Sequence, residues 1–445
     1  MKSNICIKPK LLFLVLILFA TIFCGCHGKT GPIELKVVNY YDLTSVNAAE
    51  EITAVWEKFQ EQNPDIKLIR EDYFNDVYHL KIEEYIESGN IPDVMYMWPS
   101  GRSSERLHLE NLVKDLRPFL ERDGLVAAYN PAALEKQLGG FLGELPNGMT
   151  YTSVLYANTQ VLEECGLVPA TTYEELVAQV PVLAAKGHET LLMANSEQWV
   201  MQSCLLSLLL GRFGGPYWAD HVKNGTLRLT DEKLLKAFQF LQQLCDDGVI
   251  SKNTFDVNYS EVVEAFSMGK GAYMLDGDWR LSSFVTNSDT GQALFSLQHQ
   301  EKVDMLVFPV IPDSVHSKTV SGVCGTGWGI SAAIKPNSAK EDAAWRLVKW
   351  LESKEVQQWR LEKGLAPFPS RMDVDMNSAN LEPIQRKTID FTRSYTGVTP
   401  VFDGEFSENV SQVCNSVLPL ICLKKITPLE GAMRIQEEID KENLN

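Results

Sequence analysis

Apolar runs long enough to cross a bilayer are missing from this sequence, since a span needs roughly 20 such residues. Leu11 to Ala20 is ten residues and Cys204 to Leu210 only seven. Positive charge is short too: 41 Lys and Arg face 58 Asp and Glu, a net charge of −17. That acidity disfavours nucleic acid and anionic lipid surfaces as partners. There is no H-E-x-x-H, and none of the seven histidines pairs at helical metal-ligand spacing. No G-x-S-x-G nucleophile elbow occurs. Gly28-Lys29-Thr30 looks like the end of a phosphate loop, but Phe23 stands where the motif needs glycine. The glycines of "GVCGTGWGIS" (Gly322, Gly325, Gly327 and Gly329) are wrongly spaced for a dinucleotide fold, and no acid follows at the right distance. No cofactor and no metal are therefore expected. Internal repeats, low-complexity tracts and flexible linkers are also missing, so any lobes must be joined by ordered crossovers.

What is present begins with a secretory signal. Lys2, Lys8 and Lys10 precede the apolar run, and "TIFCGCHGKTG" follows it. Cys26 follows Gly25, a small residue, as the lipid-accepting cysteine of a bacterial lipoprotein does; Cys24 follows bulky Phe23 and does not. Phe23 also stands where such motifs usually carry Leu, so the match is loose. The expectation is a signal over 1–25, lipid attachment at Cys26 and a short anchor segment over 26–32. Roughly 420 residues then remain, enough for two or three domains. Six cysteines lie beyond Cys26, at scattered spacing that makes no disulfide framework. Buried free thiols are expected, with local pairing of Cys414 and Cys422 left open.

Leu35 to Tyr40 reads as a first strand. An amphipathic helix follows, with Ile52, Val55, Trp56 and Phe59 on one face and Asn63-Pro64 ending it. Then come a strand at Ile66 to Ile69, a helix over Asp76 to Ser88 and a strand at Asp93 to Met97. This alternation predicts an α/β fold with a mostly parallel sheet. A capping box is expected at Thr171 and Glu174, another at Ser338 and Glu341, and Thr230 is expected to cap the helix carrying Leu234, Phe238 and Leu241.

Asp276 and Asp278 in "MLDGDWR" form the best carboxylate pair for glycosidase chemistry. A helix cap explains one of them equally well, and no supporting residue strengthens the catalytic reading.

Several segments, in order, resemble the family-one extracellular solute-binding proteins of ABC importers, the group of maltose- and oligosaccharide-binding proteins. They are "VWEKFQEQNPDIKL", "IPDVMYMW", "ENLVKDLRPFL", "GELPNGMTYTSVLYANTQVLEECGLVPATTYEELV", "EAFSMGKGAYMLDGDW", "VDMLVFPVIPD", "GTGWGIS" and "AAWRLVKWLESKEVQQWRLEKGLAP". The resemblance implies an α/β, two-lobed periplasmic-binding-protein (Venus-flytrap) fold with a discontinuous domain and an interlobe ligand cleft. It divides the chain into 33–148 and 303–351 for the first lobe, and 149–302 and 352–445 for the second. Crossovers are expected near Leu145 to Tyr151, near Met305 to Pro312 and close to Glu352.

Sugars offer flat apolar faces edged with hydroxyls, so their sites need stacking rings and planar polar groups. The resemblance points first to Trp279, with Asp276 and Asp278 as hydroxyl acceptors. Trp98 stands just past a strand end, where an open α/β sheet places its ligands, and Arg102 can clamp hydroxyls. Trp199 matches a second-lobe ring position, with core packing as the alternative. Trp328 lies among glycines that let backbone approach ligand. Tyr41 and Asp42 close the first strand. Phe402 and Phe406 lie in a late segment where relatives add a ring; Trp345, Trp350 and Trp359 read as core. The implied protein is a monomeric, non-catalytic receptor, lipid-anchored on the outer face of the bacterial cytoplasmic membrane or in the periplasm. It binds a carbohydrate and delivers it to the membrane permease of an ABC importer. The alternatives are a surface glycosidase, or a binding protein for glycerol phosphate or a polyamine.

Overall fold

The computed structural model describes residues 31–443, apart from 43–44, 75, 99–101, 135–140 and 325. The expected signal segment and Cys26 lie outside the described residues. The chain opens with β1 (Ile33–Tyr40), β2 (Ile66–Tyr73), β3 (Val94–Met97) and β4 (Glu144–Pro146). A short β5 (Met149–Tyr151) leads into β6 (Val154–Asn158), β7 (Glu189–Leu192), β8 (Gly271–Asp276) and β9 (Val303–Leu306). The return runs through β10 (Thr319–Cys324) into β11 (Gly327–Ile330), and β12 (Gly397–Thr399) comes late.

These strands make two lobes and a bridge. The first lobe holds a five-stranded sheet, β2-β1-β3-β11-β4, and the second a four-stranded sheet, β7-β8-β6-β9. Between them β12-β10-β5 form a small sheet of their own. Because β5 and β10 pair antiparallel, with Tyr151 opposite Gly322, the outgoing and returning segments brace each other. The expected mostly parallel sheet is corrected. β1 runs parallel to β2 and β3, but β11 is antiparallel to both β3 and β4, and β6 to both β8 and β9. A strand arriving from the other lobe enters at the end where the parallel strands finish, so it has to run against them.

Side-chain alternation explains why each sheet is covered on both faces. Leu35 and Val37 of β1 face Trp328 and the helix Ala339–Leu351, through Ala344, Leu347, Val348 and Leu351. Val38 faces the other way, towards Tyr78, Ile82 and Ile86 of the helix Asp76–Ser88. In the second lobe Leu155 and Leu275 face the helices Ser207–Gly214, Glu232–Asp246 and Glu408–Cys422. Val154, Tyr156 and Met274 face Phe284, Ile384 and Phe391. Each such fully buried aliphatic or phenyl side chain contributes about 1.5–3 kcal/mol.

Two expected boundaries move. β9 pairs with β6, Leu306 opposite Leu155, so residues 303–306 belong to the second lobe. The return crosses at β10, not at Met305 to Pro312. The third crossover also comes later than Glu352. The helix Lys354–Glu362 still packs on the first lobe, with Val356 in its core and Arg360 Nε 2.7 Å from Glu51 Oε1. The chain then passes the first crossover, where Met149 N–H donates to Phe368 O at 3.0 Å and Ser370 N–H to Asn147 O at 2.9 Å. Gly148 permits this closeness, since a Cβ there would meet Phe368 O at 2.1 Å. The helix Pro383–Ser394 finally packs on the second lobe. At the base of β10 the buried Arg212 guanidinium donates to the carbonyls of Thr319 (2.9 Å), Pro309 (3.1 Å) and Phe308 (2.8 Å), and burial lowers its pKa to about 9.

The caps shift by one residue. Thr172, not Thr171, accepts from Glu175 N–H at 3.3 Å, and the Glu175 carboxylate accepts from Thr172 N–H. Asp231, not Thr230, precedes the helix Glu232–Asp246; its carboxylate accepts from Arg228 N–H, which closes the entering turn. Ser338 caps as expected, accepting from Glu341 N–H at 3.2 Å.

Candidate functional site

Topology identifies which sheet ends meet. β3 finishes at Met97 opposite Gly327, the first residue of β11, so the returning chain enters the first sheet beside Trp98. Val154, the first residue of β6, lies opposite Asp276, the last of β8, so the outgoing chain enters the second sheet beside Trp279. The crossovers thus join the two sheet ends at which Trp98 and Trp279 stand.

On the second lobe the chain turns sharply after β8. Asp278 Oδ2 accepts from Tyr151 N–H of β5 at 2.8 Å, which ties this turn to the crossover. The Trp279 indole folds back over Gly277, where a Cβ would meet the ring at 2.2 Å. Only glycine leaves room for it. Trp279 Nε1 donates to Tyr259 OH, and that hydroxyl donates to Asp276 Oδ1 at 3.2 Å. Arg280 completes the frame: its Nε donates to Asp276 Oδ2 at 2.7 Å, and its guanidinium stacks 3.6 Å from the Tyr259 ring centroid. Trp199 stands 4.9 Å from Tyr259 and 5.9 Å from Trp279, centroid to centroid. Trp199, Tyr259 and Trp279 are each half-buried, so the three rings form one braced group that rests on the second core and stays partly accessible.

The first lobe carries a matching group at the ends of β1 and β3. Tyr40 lies 5.3 Å from Trp98, 5.7 Å from Phe74 and 6.0 Å from Tyr96. His79 stands edge-on to Trp98 at 6.0 Å. Tyr41 N–H donates to Tyr73 O at 2.9 Å, and burial pushes the Tyr41 phenol above its ordinary value. Asp42 Oδ2 accepts from Ser45 Oγ at 2.9 Å.

Several sequence expectations need correction. Trp328 is 1 % exposed and packs edge-on against Trp56 (5.4 Å) and Tyr96 (5.3 Å), so its ring serves the first core. β11 lies inside the sheet and is covered by helices, which leaves its tryptophan no open face. Asp276 and Asp278 are buried, at 1 % and 3 % exposed, and both accept hydrogen bonds from protein donors. They hold the Trp279 turn instead of presenting free oxygens to a ligand. Burial pushes the Asp278 carboxyl up to about 8 against the pull of the Tyr151 and Trp279 amides. Phe402 and Phe406 pack with Trp218 in the second core. Arg102 begins the helix Arg102–Leu109, and its side chain lies outside the described residues. Tyr40 and Tyr259 escaped the sequence reading. A local signal existed for Tyr40, the last strand residue beside Tyr41; the run "FDVNYSEVV" around Tyr259 offers none.

Among the described residues no group of three or more His, Cys, Asp and Glu side chains is arranged to hold a metal. No helix among them is long and apolar enough to cross a membrane.

Two sheeted lobes joined by paired crossovers, with rings at the joined ends, define the architecture of a solute-binding protein. Solved structures agree on the fold. A chitin oligosaccharide binding protein superposes with a TM-score of 0.80 at 20% identity, covering 93% of this chain and 100% of that one. Maltose-bound MalE3 of T. maritima gives 0.71 at 18% identity, with 92% and 99% covered. RafE in complex with raffinose gives 0.72 at 15% identity, with 92% and 100% covered. Residues 45–358 match the model of the bacterial extracellular solute-binding proteins, and the chain belongs to that family.

Proposed function

We propose that this protein is the carbohydrate receptor of an ABC importer, taking a sugar or oligosaccharide between its lobes and presenting it to the membrane permease. One observation carries the reading: half-buried rings stand at both joined sheet ends, Tyr40 and Trp98 on one and Trp199, Tyr259 and Trp279 on the other. Rings on two sides suit a pyranose, whose C–H faces stack while its equatorial hydroxyls point outward. A chitin oligosaccharide binding protein, a maltose-bound protein and a raffinose complex of this fold support the same class. The site residues in this proposal are Trp98, Trp199 and Trp279, joined by Tyr40 and Tyr259, with Tyr41, Asp42 and Arg102 at the rim.

The glycosidase alternative loses its carboxylates. Retaining and inverting mechanisms both need two acids open to the scissile bond, whereas Asp276 is paired with Arg280 and Asp278 is held by the Tyr151 amide. Anchoring through Cys26 and a monomeric state complete the proposal.

A thermal-shift screen of mono- and oligosaccharides against glycerol phosphate and polyamines tests it. Ligand at 100 times its dissociation constant should add about 2.7 kcal/mol, a readable rise in melting temperature. A rise with glycerol phosphate or a polyamine and none with any sugar would overturn the carbohydrate reading. Cleavage of an oligosaccharide by the purified protein would restore the enzyme.

A further inference from the structure

Two helices that pack together in the second core each end on a cysteine or next to one. Cys245 occupies the last turn of the helix Glu232–Asp246, and Cys422 is the final residue of the helix Glu408–Cys422. Contacts on both sides hold these ends together. Gln242 Nε2 donates to Ile421 O at 3.1 Å, and Lys424 Nζ lies 2.7 Å from Asp246 Oδ1. Residues 242, 245 and 246 share one helix face, so Cys245 sits between two fixed contacts to the segment that carries Cys422. Both cysteines border the second core, Cys422 buried and Cys245 half-exposed, and both are free thiols in this structure. The Cys422 thiol is pushed far up, first by the neighbouring Cys245 side chain and then by burial.

The pairing of Cys414 with Cys422 left open by the sequence does not survive. Both lie on one helix, eight residues apart. Helix rise separates them by about 12 Å, beyond the reach of a disulfide, whose Cα atoms lie within about 7 Å.

We infer that Cys245 and Cys422 form a disulfide that staples these two helices once the protein reaches an oxidising compartment. Membership in an extracellular family places the chain where such bonds persist. The oxidant is an external disulfide, either a small molecule or a thiol–disulfide oxidoreductase. Cys245, the reachable thiol, loses its proton to solvent and attacks one external sulfur. A mixed disulfide forms and one thiolate leaves. Cys422 then loses its proton, its sulfur attacks that of Cys245, and the second external thiolate departs. Two electrons pass from the protein to the external disulfide, and both released thiolates take up protons. Burial of Cys422 makes the second attack the slow step. The bond would close a long loop spanning 245–422 from helix ends, where small shifts of backbone are cheapest.

The test uses the full chain purified without reductant and incubated with oxidised glutathione, compared with a reduced sample. Thiols are counted in denaturant, and proteolytic peptides are mapped by mass spectrometry. The oxidised protein should lose two titratable thiols and yield a linked peptide pair containing Cys245 and Cys422. Cys414→Ala should lose the same two; Cys245→Ser and Cys422→Ser should form no such link. Reductant should lower the melting temperature of the oxidised parent and leave that of Cys245→Ser unchanged. An unchanged thiol count, a link through another cysteine, or glutathione retained on Cys245 without closure would each overturn the inference.

Discussion

The Asn47 side chain of the first lobe accepts from the Ser288 amide of the second at 3.1 Å, directly across the junction. Its Nδ2 donates to Lys363 O at 3.0 Å and to Thr286 O at 3.4 Å. Asn287 returns the contact by donating to Val46 O at 3.1 Å. One buried amide therefore serves both lobes and the segment leading to the third crossover. Asn47→Ala leaves two carbonyls and an amide short of a partner, at a cost of about 1–3 kcal/mol. Urea melts should show that loss; a change below about 0.5 kcal/mol would mean that solvent replaces the contacts.

Trp279→Ala should weaken sugar binding by about 2 kcal/mol or more, as ring anchors do at binding hot spots. Gly277→Ala is the sharper probe. It keeps the indole in the protein but drives a methyl into the ring's present position. Calorimetry on the cognate sugar should find both variants impaired. Full affinity in Gly277→Ala would show that the ring's seat over residue 277 does not matter for binding.

Trp98 and Trp328 should separate cleanly. Trp328→Ala opens a cavity in the first core and should cost about 3–5 kcal/mol of folding stability. Trp98→Ala, at a half-buried position, should cost clearly less and act mainly on affinity. Paired melts and titrations check this, and equal destabilisation by the two would place Trp98 in the core as well.

Stability should fall as pH rises from about 5 to about 8. Burial pushes Asp278 up to about 8, Glu352 to about 7 and Asp403 to about 6. Unfolded, these groups titrate near 4. Through the window the folded chain still holds protons that the unfolded chain has released, so rising pH favours unfolding. The slope is at most about 1.4 kcal/mol per pH unit for each group. Asp278→Asn keeps an acceptor for the Tyr151 amide and removes one of the three. Its loss of urea stability across the window should be smaller than the parent's, and parallel curves would refute the Asp278 assignment.

Anchoring should depend on Cys26. Expressed in a bacterium that processes lipoproteins, Cys26→Ser should leave the membrane fraction while Cys24→Ser stays in it. The reverse result would move the attachment point to Cys24.

Much of the fold was legible because its signals are local. The helix Asp76–Ser88 and β1 to β3 followed from apolar periodicity, and Ser338 from a cap three residues ahead of Glu341. Caps written with two candidate hydroxyls in a row, Thr171 and Thr172, were ambiguous by one residue because either can reach the helix N-terminus. The displaced boundary at 303 has a different cause. β9 looks like any short buried strand, and only its partner β6 reveals its lobe.

The sequence by itself determined the element types, the acidic balance, the order of family-like segments and the tryptophans worth weighing. The tertiary structure alone decided which of those rings remain open. Trp98 and Trp328 belong to neighbouring strand segments, yet Trp98 follows the end of β3 at the junction and Trp328 sits within β11 inside a covered sheet. Trp279 meets Tyr259 from twenty residues away and Trp199 from a third segment. Asp276 and Asp278 look like ligand acceptors until Arg280 and the Tyr151 amide are seen to occupy them. A side chain's exposure and partners depend on contacts between segments distant along the chain, and neither periodicity nor spacing encodes those contacts.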